Sequence, residues 1–150
     1  MNLNNAGKKI LIVEDDQFLR DFYQELLSAE GYEVDVAADG EVGLRKMIQG
    51  DWDLVLLDIM LPKKDGLNIL RDLKVQPATT PNGPIVVLTN LGNDTIINQA
   101  FTLGATGYLI KSALNPDEVL TEIHSFLEKP ASNESVQNNT PSSTDGTANG

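Results

Sequence analysis

Five short runs of apolar residues recur along the chain, and each is followed by a segment with helical periodicity. The runs are Lys9-Ile10-Leu11-Ile12-Val13, Tyr32-Glu33-Val34-Asp35-Val36, Asp53-Leu54-Val55-Leu56-Leu57, Ile85-Val86-Val87-Leu88 and Gly107-Tyr108-Leu109-Ile110. Most are apolar nearly throughout, as strands covered on both faces must be. The second alternates, as an edge strand does. Between them, Phe18, Phe22 and Leu26 form an apolar stripe at helical spacing, and so do Leu44, Met47 and Ile48. Leu67, Leu70 and Leu73 make a third stripe, Ile96, Ile97, Ala100 and Phe101 a fourth, and Val119, Leu120, Ile123 and Leu127 a fifth. Strand-helix alternation of this kind folds into a doubly wound α/β unit, (βα)₅, with a parallel sheet between two helical layers.

Punctuation agrees with the periodicity. Gly31, Gly50 and Gly104 stand where helices should stop, because glycine accepts the left-handed backbone of a helix end. Asp16, Asn93 and Asn115 stand where helices should be capped, with Pro116 at a first-turn position. Asp65-Gly66 reads as a turn and a helix start. The strand spacing lengthens before the fourth run, where Pro77 to Pro84 form a turn-rich loop.

The segment from Lys129 to Gly150 is polar, with Val136 its largest apolar side chain. It cannot offset the entropy of ordering its backbone and is expected to be disordered. Residues 1–7 are expected to be a short disordered lead, which leaves 8–128 as the folded unit. Removing Lys129, Glu134 and Asp145 from the total charge of −11 leaves that unit at −10.

The acidic balance argues against direct contact of this chain with nucleic acid or an anionic membrane. The absence of cysteine removes disulfides, thiolate metal sites and a thiol nucleophile. The apolar runs are too short to span a bilayer and the N-terminus lacks a signal-peptide core. A reducing, cytoplasmic setting is the expectation.

In open parallel sheets, ligands bind beyond the carboxyl ends of the strands. Glu14, Asp15 and Asp16 follow the first run, Asp58 the third, Thr89 and Asn90 the fourth, and Lys111 the fifth. The second ends blandly in Ala37-Ala38-Asp39-Gly40. Packed carboxylates repel one another. A hard divalent cation such as Mg²⁺ relieves that repulsion with oxygen ligands. A carboxylate can also be a nucleophile that forms an aspartyl-phosphate, and a lysine and a hydroxyl nearby would balance phosphoryl charge. The rim reads as a place to put a phosphoryl group on Asp58.

Taken together, Ile10-Leu11-Ile12-Val13-Glu14-Asp15-Asp16, Leu56-Leu57-Asp58-Ile59-Met60-Leu61-Pro62-Lys63-Lys64-Asp65-Gly66, Val87-Leu88-Thr89 and Gly107-Tyr108-Leu109-Ile110-Lys111 resemble the receiver domain of two-component response regulators. The resemblance covers about residues 8–128. It implies the flavodoxin-like strand order 2-1-3-4-5 and a phosphorylation-dependent signalling switch that is not a turnover enzyme beyond its own phosphotransfer and slow hydrolysis. Asp58 matches the phosphoacceptor. Asp15 matches the direct Mg²⁺ ligand, Glu14 its acidic neighbour acting through water, and the backbone carbonyl of Met60 the third protein ligand. Lys111 matches the phosphoryl-contacting lysine, Thr89 the switch hydroxyl and Tyr108 the switch aromatic. The implied partners are a histidine kinase or histidine phosphotransfer protein and a downstream protein bound at helix 4, strand 5 and helix 5, about residues 93–128. The unit is expected to be a monomer that can dimerise when phosphorylated. With only the polar tail after it, it reads as a stand-alone receiver.

Two positions depart from the family pattern. Ser112 follows Lys111 where proline, often in a cis bond, is common; a non-proline residue keeps the trans form. Asn90 stands where a small residue usually follows the switch hydroxyl. Neither change removes a reacting group.

Other residues have plainer roles. Asp16 reads as a helix cap rather than a metal ligand, Lys63-Lys64 as a solvated pair, and His124 as a boundary residue. The acids after strand 1 lack the twelve-residue Ca²⁺-loop spacing. A phosphorylation-independent docking module is the main alternative function, and intact Asp15, Asp58, Thr89 and Lys111 argue against it. A Mg²⁺-dependent phosphohydrolase is a further alternative, weakened because Met60 stands where such enzymes carry a second acid two residues after the nucleophile.

Overall fold

In a computed structural model, residues 5–90, 94–112 and 115–128 are described. The elements alternate as β1 (Lys9–Val13), α1 (Gln17–Ala29), β2 (Glu33–Ala37), α2 (Gly40–Gln49), β3 (Leu54–Asp58), α3 (Gly66–Val75), β4 (Ile85–Thr89), α4 (Asp94–Thr102), β5 (Gly107–Ile110) and α5 (Pro116–Glu128). The strands form one parallel sheet in the order β2-β1-β3-β4-β5. The expected (βα)₅ fold and its strand order are thus what the chain adopts.

Successive strand residues point to opposite faces, and that divides the core in two. Leu11, Val13, Val55, Leu57 and Val87 pack with Met47, Ile69, Leu70 and Ala100 from α2, α3 and α4. Ile10, Ile12, Leu54, Leu56, Val86 and Leu88 pack with Tyr23, Leu27, Val119, Ile123 and Phe126 from α1 and α5. Each such side chain contributes about 1.5–3 kcal/mol on removal from water. β2 is only partly buried, consistent with its edge position.

Two helices face the sheet differently from the periodicity. In α1, Tyr23 and Leu27 are buried while Phe18 is 71% exposed. Phe18 is the second residue of the helix, out at the rim, where the strands have ended and no sheet face remains to receive it. In α5, Phe126 joins Val119 and Ile123 in the core. Its ring lies over Gly107, where an added Cβ would come within 2.2 Å of Phe126 Cζ. The glycine that opens β5 therefore makes room for this ring.

Helix ends follow the polar signals. Asp16, Asp39 and Asp65 accept backbone N–H groups at the starts of α1, α2 and α3, and Asn115 accepts those of Asp117 and Glu118 before α5. Asn93 lies outside the described residues. Gly31, Gly50 and Gly104 all take positive φ. At the opposite end of the sheet, Asn82 in the turn-rich loop bridges the Trp52 N–H and the Met47 carbonyl.

Asn5 lies within the segment expected to be a disordered lead. Asn5 is buried, its side chain donates to the Glu30 carbonyl at 2.8 Å, and its own carbonyl accepts from Lys8. A short polar residue that satisfies a helix C-terminal carbonyl docks without needing apolar bulk. No described helix is long and apolar enough to cross a membrane.

Candidate functional site

The strand register sets the site. β1 and β3 pair as Val13↔Leu57, and β3 and β4 as Asp58↔Leu88. Asp58 and Thr89 therefore close their strands rather than follow them. Glu14 and Lys111 are the next residues after β1 and β5. Parallel pairing brings all these chain positions to one rim.

Asp58 is buried, with 1% of its surface exposed. Its Oδ1 accepts the Met60 N–H at 3.0 Å and its Oδ2 accepts Lys111 Nζ at 2.9 Å. The same ammonium lies 3.2 Å from Glu14 Oε1. Glu14 is fully buried and its Oε2 accepts the Asp16 N–H at 3.0 Å. One carboxylate oxygen from each of Glu14, Asp15 and Asp58 lies within 4.8 Å of the others. Asp15 is the exposed member of this trio. Arg20 fixes the loop beneath them by donating to the Glu14 and Asp15 carbonyls.

Burial, with the Asp58 carboxylate alongside, pushes Glu14 up to about 7. The Asp16 N–H and Lys111 oppose the shift without cancelling it. For Lys111, burial disfavours the ammonium, but its bond to Asp58 and the charges of Asp58 and Glu14 prevail and raise its pKa. Burial also raises Tyr23, which lies near both carboxylates, to about 12.

The buried Glu14 Oε1 makes no hydrogen bond despite its nearness to Lys111. Two buried carboxylates and an exposed third, with one oxygen left unbonded, form a hard, oxygen-only donor set that suits Mg²⁺. Asp16 is not in the trio. Its side chain caps α1 through the Leu19 N–H.

The remaining expected residues stand as follows. Thr89 is buried and its hydroxyl donates to the Asn90 carbonyl at 3.3 Å. Tyr108 is 45% exposed and meets Phe101 edge-on, with centroids 6.4 Å apart. The Met60 side chain is exposed at the rim. The described peptide bonds, Lys111–Ser112 included, are trans. The Lys63-Lys64 pair is not simply solvated. Lys64 pairs with Asp72 at 2.6 Å, and Lys63, at φ +68°, reaches Asp39 at 3.5 Å.

The sequence reading missed the N-terminus of α2. Gly40 donates to the Pro62 carbonyl, and an added Cβ there would stand 1.6 Å from the Lys64 carbonyl oxygen. Asp39-Gly40, read as a bland strand end, clamps the β3–α3 loop that carries Met60. Only the Asp-Gly pair hinted at it.

The family model for the response regulator receiver domain matches residues 10–124. The chain belongs to that family. It is 38% identical over 131 residues to the transcriptional regulatory protein CpxR of Escherichia coli K12, covering 87% of this chain and 54% of CpxR. A receiver domain protein from Methanospirillum hungatei JF-1 superposes with a TM-score of 0.70 at 32% identity, covering 81% of this chain and 94% of that one. The receiver domain of a sensor histidine kinase from Pseudomonas aeruginosa PAO1, solved with a magnesium ion coordinated in its active site cleft, gives 0.70 at 26% identity, covering 83% and 100%. The chain spans about half the length of the curated relatives it matches. The exclusion of nucleic acid argued from charge therefore concerns this receiver's own surface, and the expectation of stand-alone action belongs to the full-length protein.

Proposed function

We propose that this receiver accepts a phosphoryl group on Asp58 from a phosphohistidine of a histidine kinase or histidine phosphotransfer protein. The observation that carries the reading is the contact of Asp58 with Lys111 at 2.9 Å inside a cluster of three carboxylates. An Asp58 oxygen attacks phosphorus, the phosphorus–nitrogen bond of the donor breaks, and the leaving imidazole nitrogen takes up a proton. Asp58 is held in place from both sides, by the Met60 N–H and by Lys111. Transfer along the Asp58 direction brings the new phosphoryl oxygens to the Lys111 ammonium, which already pairs with Asp58 and Glu14 and balances the added charge.

Asp15, Asp58 and the Met60 carbonyl would hold Mg²⁺, with Glu14 acting through water. When bound, that ion neutralises charge on the carboxylates and the phosphoryl oxygens. Thr89 is the hydroxyl poised to turn from the Asn90 carbonyl to the phosphoryl group. Tyr108, half-exposed on β5, then has an inward position to move to, which changes the surface of β5 and its flanking helices. The transfer is the receiver's own, so it acts as a regulator rather than as a turnover enzyme.

Incubation with a small acyl phosphate and Mg²⁺, followed by intact-protein mass measurement, tests the reading. One added phosphoryl group in the wild type and none in Asp58→Asn is expected. An unmodified wild type, or an undiminished gain in Asp58→Asn, overturns it.

A further inference from the structure

β2 closes one side of the sheet, with β1 as its single neighbour. A free strand edge offers N–H and C=O groups to any strand that meets it, a second copy of the same chain included. In a parallel ladder these groups turn alternately toward the neighbour and away from it. The Glu33 N–H donates to the Lys8 carbonyl, and the Ala37 carbonyl accepts the Glu14 N–H. Residues 33, 35 and 37 therefore face β1, and Val34 and Val36 turn their backbone groups outward.

Both outward groups of Val36 are held by side chains of this chain. Its N–H donates to Asp35 Oδ1 at 2.8 Å, and its carbonyl accepts Lys46 Nζ at 2.8 Å. The two side chains also hold each other, with Lys46 Nζ donating to Asp35 Oδ2 at 2.9 Å. Asp35 is in register with Leu11, which lies in the core half that α2 covers. It stands on the face from which Lys46, on α2, reaches over the edge. Just before the strand, Tyr32 donates its N–H to the Leu27 carbonyl. Val34 is then the β2 residue whose outward groups have no partner among the described residues.

We propose that Asp35 and Lys46 guard the β2 edge against strand addition by a second copy of this chain. An added strand needs outward groups on successive alternate residues to fix its register, and Val34 alone does not supply them. A two-fold antiparallel pairing that used both outward residues would set Val34 against Val36 of the copy and Asp35 against Asp35. Like charges directly opposite are unfavourable. The approach would also strip water from the partly exposed Asp35 and Lys46 heads. The guard involves no group of the carboxylate cluster, so it stands or falls apart from the phosphoryl switch.

The test compares the full chain with Asp35→Thr/Lys46→Met by sedimentation velocity. The two changes together leave net charge unaltered, free both outward groups of Val36 and place a strand-favouring residue at the centre of the pairing. The wild type is expected to sediment as a monomer and the double variant as a concentration-dependent dimer. Glu33→Cys in each background locates the contact, since the chain has no cysteine of its own. A short bis-maleimide should cross-link the double variant through Glu33→Cys and not through Glu122→Cys on α5, and should leave the background with Asp35 and Lys46 uncross-linked. Adding Val34→Pro removes the remaining outward N–H and should return the double variant to monomer. Circular dichroism checks that each variant is folded. Hydrogen exchange on the wild type gives a reading that needs no variant: the Val36 amide should exchange more slowly than the Val34 amide. A folded double variant that stays monomeric overturns the proposal, as does a dimer that survives Val34→Pro or cross-links equally through Glu122→Cys. Cross-linking through Glu33→Cys with Asp35 and Lys46 in place, or equal exchange at Val34 and Val36, overturns it as well.

Discussion

Lys111 and Asp58 are 53 positions apart in sequence, yet Lys111 Nζ lies 2.9 Å from Asp58 Oδ2 in a setting almost closed to water. The ammonium offsets two buried carboxylates at once. Replacing it by Met keeps the volume and removes the charge. Phosphorylation of Lys111→Met by a small acyl phosphate should slow by about 10²-fold, the scale for losing one preorganised charge partner. Divalent-cation binding should survive, because Lys111 donates no lone pair. Loss of cation binding together with the rate would show that the lysine organises the whole site.

Glu14 gives the apo protein a pH dependence of defined sign. Its pKa rises from 4.5 to about 7 on folding, so the folded state binds the proton more tightly than the unfolded state. Its contribution to stability is therefore full at low pH and is lost as pH rises from about 4.5 through 7. The loss is on the order of 3 kcal/mol. Denaturant melts in chelator between pH 5 and 8 should show stability from this group falling, and Glu14→Gln should flatten the curve. Added Mg²⁺ should stabilise more at pH 8 than at pH 5. A Glu14→Gln curve parallel to wild type would contradict this.

Asp15 and Asp16 are neighbours with separable roles. Asp15 belongs to the carboxylate trio and Asp16 caps α1. Asp15→Asn should abolish measurable heat of Mg²⁺ binding in titration calorimetry while leaving stability unchanged or raised. Asp16→Ala should cost about 1 kcal/mol of stability, the usual price of a lost cap, with cation affinity retained. An exchange of these two outcomes would reverse the assignment.

The contact of α2 with the β3–α3 loop predicts an effect of Gly40→Ala away from any reacting group. The new Cβ would stand 1.6 Å from the Lys64 carbonyl, so backbone must shift on one side. A stability loss of about 1–3 kcal/mol follows from such overpacking. Cation affinity should fall with it, because the displaced loop carries Met60. Thermal melts and calorimetry on the same sample read both. Unchanged cation affinity in a destabilised variant would separate the loop from the site.

Much of this molecule was legible in its residues. The period of apolar side chains marks strands and helices, and parallel strands separated by helices leave few topologies. The caps at Asp16 and Asn115 are readable because a short side-chain acceptor at a helix start satisfies its free N–H groups, whereas Asp65-Gly66 reads only as a turn and a helix start. Strand ends were read a residue early at Asp58 and Thr89, since polar residues continue a strand wherever the ladder supplies backbone partners.

Sequence alone fixed which groups exist and roughly where in the chain each apolar face turns, because periodicity and capping are local. Tertiary structure alone decided which groups meet. Register set Lys111 on Asp58, packing turned Phe18 outward and Phe126 onto Gly107, and the approach of α2 to the β3–α3 loop gave Gly40 its purpose. Each of these depends on distances between segments far apart in the chain, which no local pattern encodes.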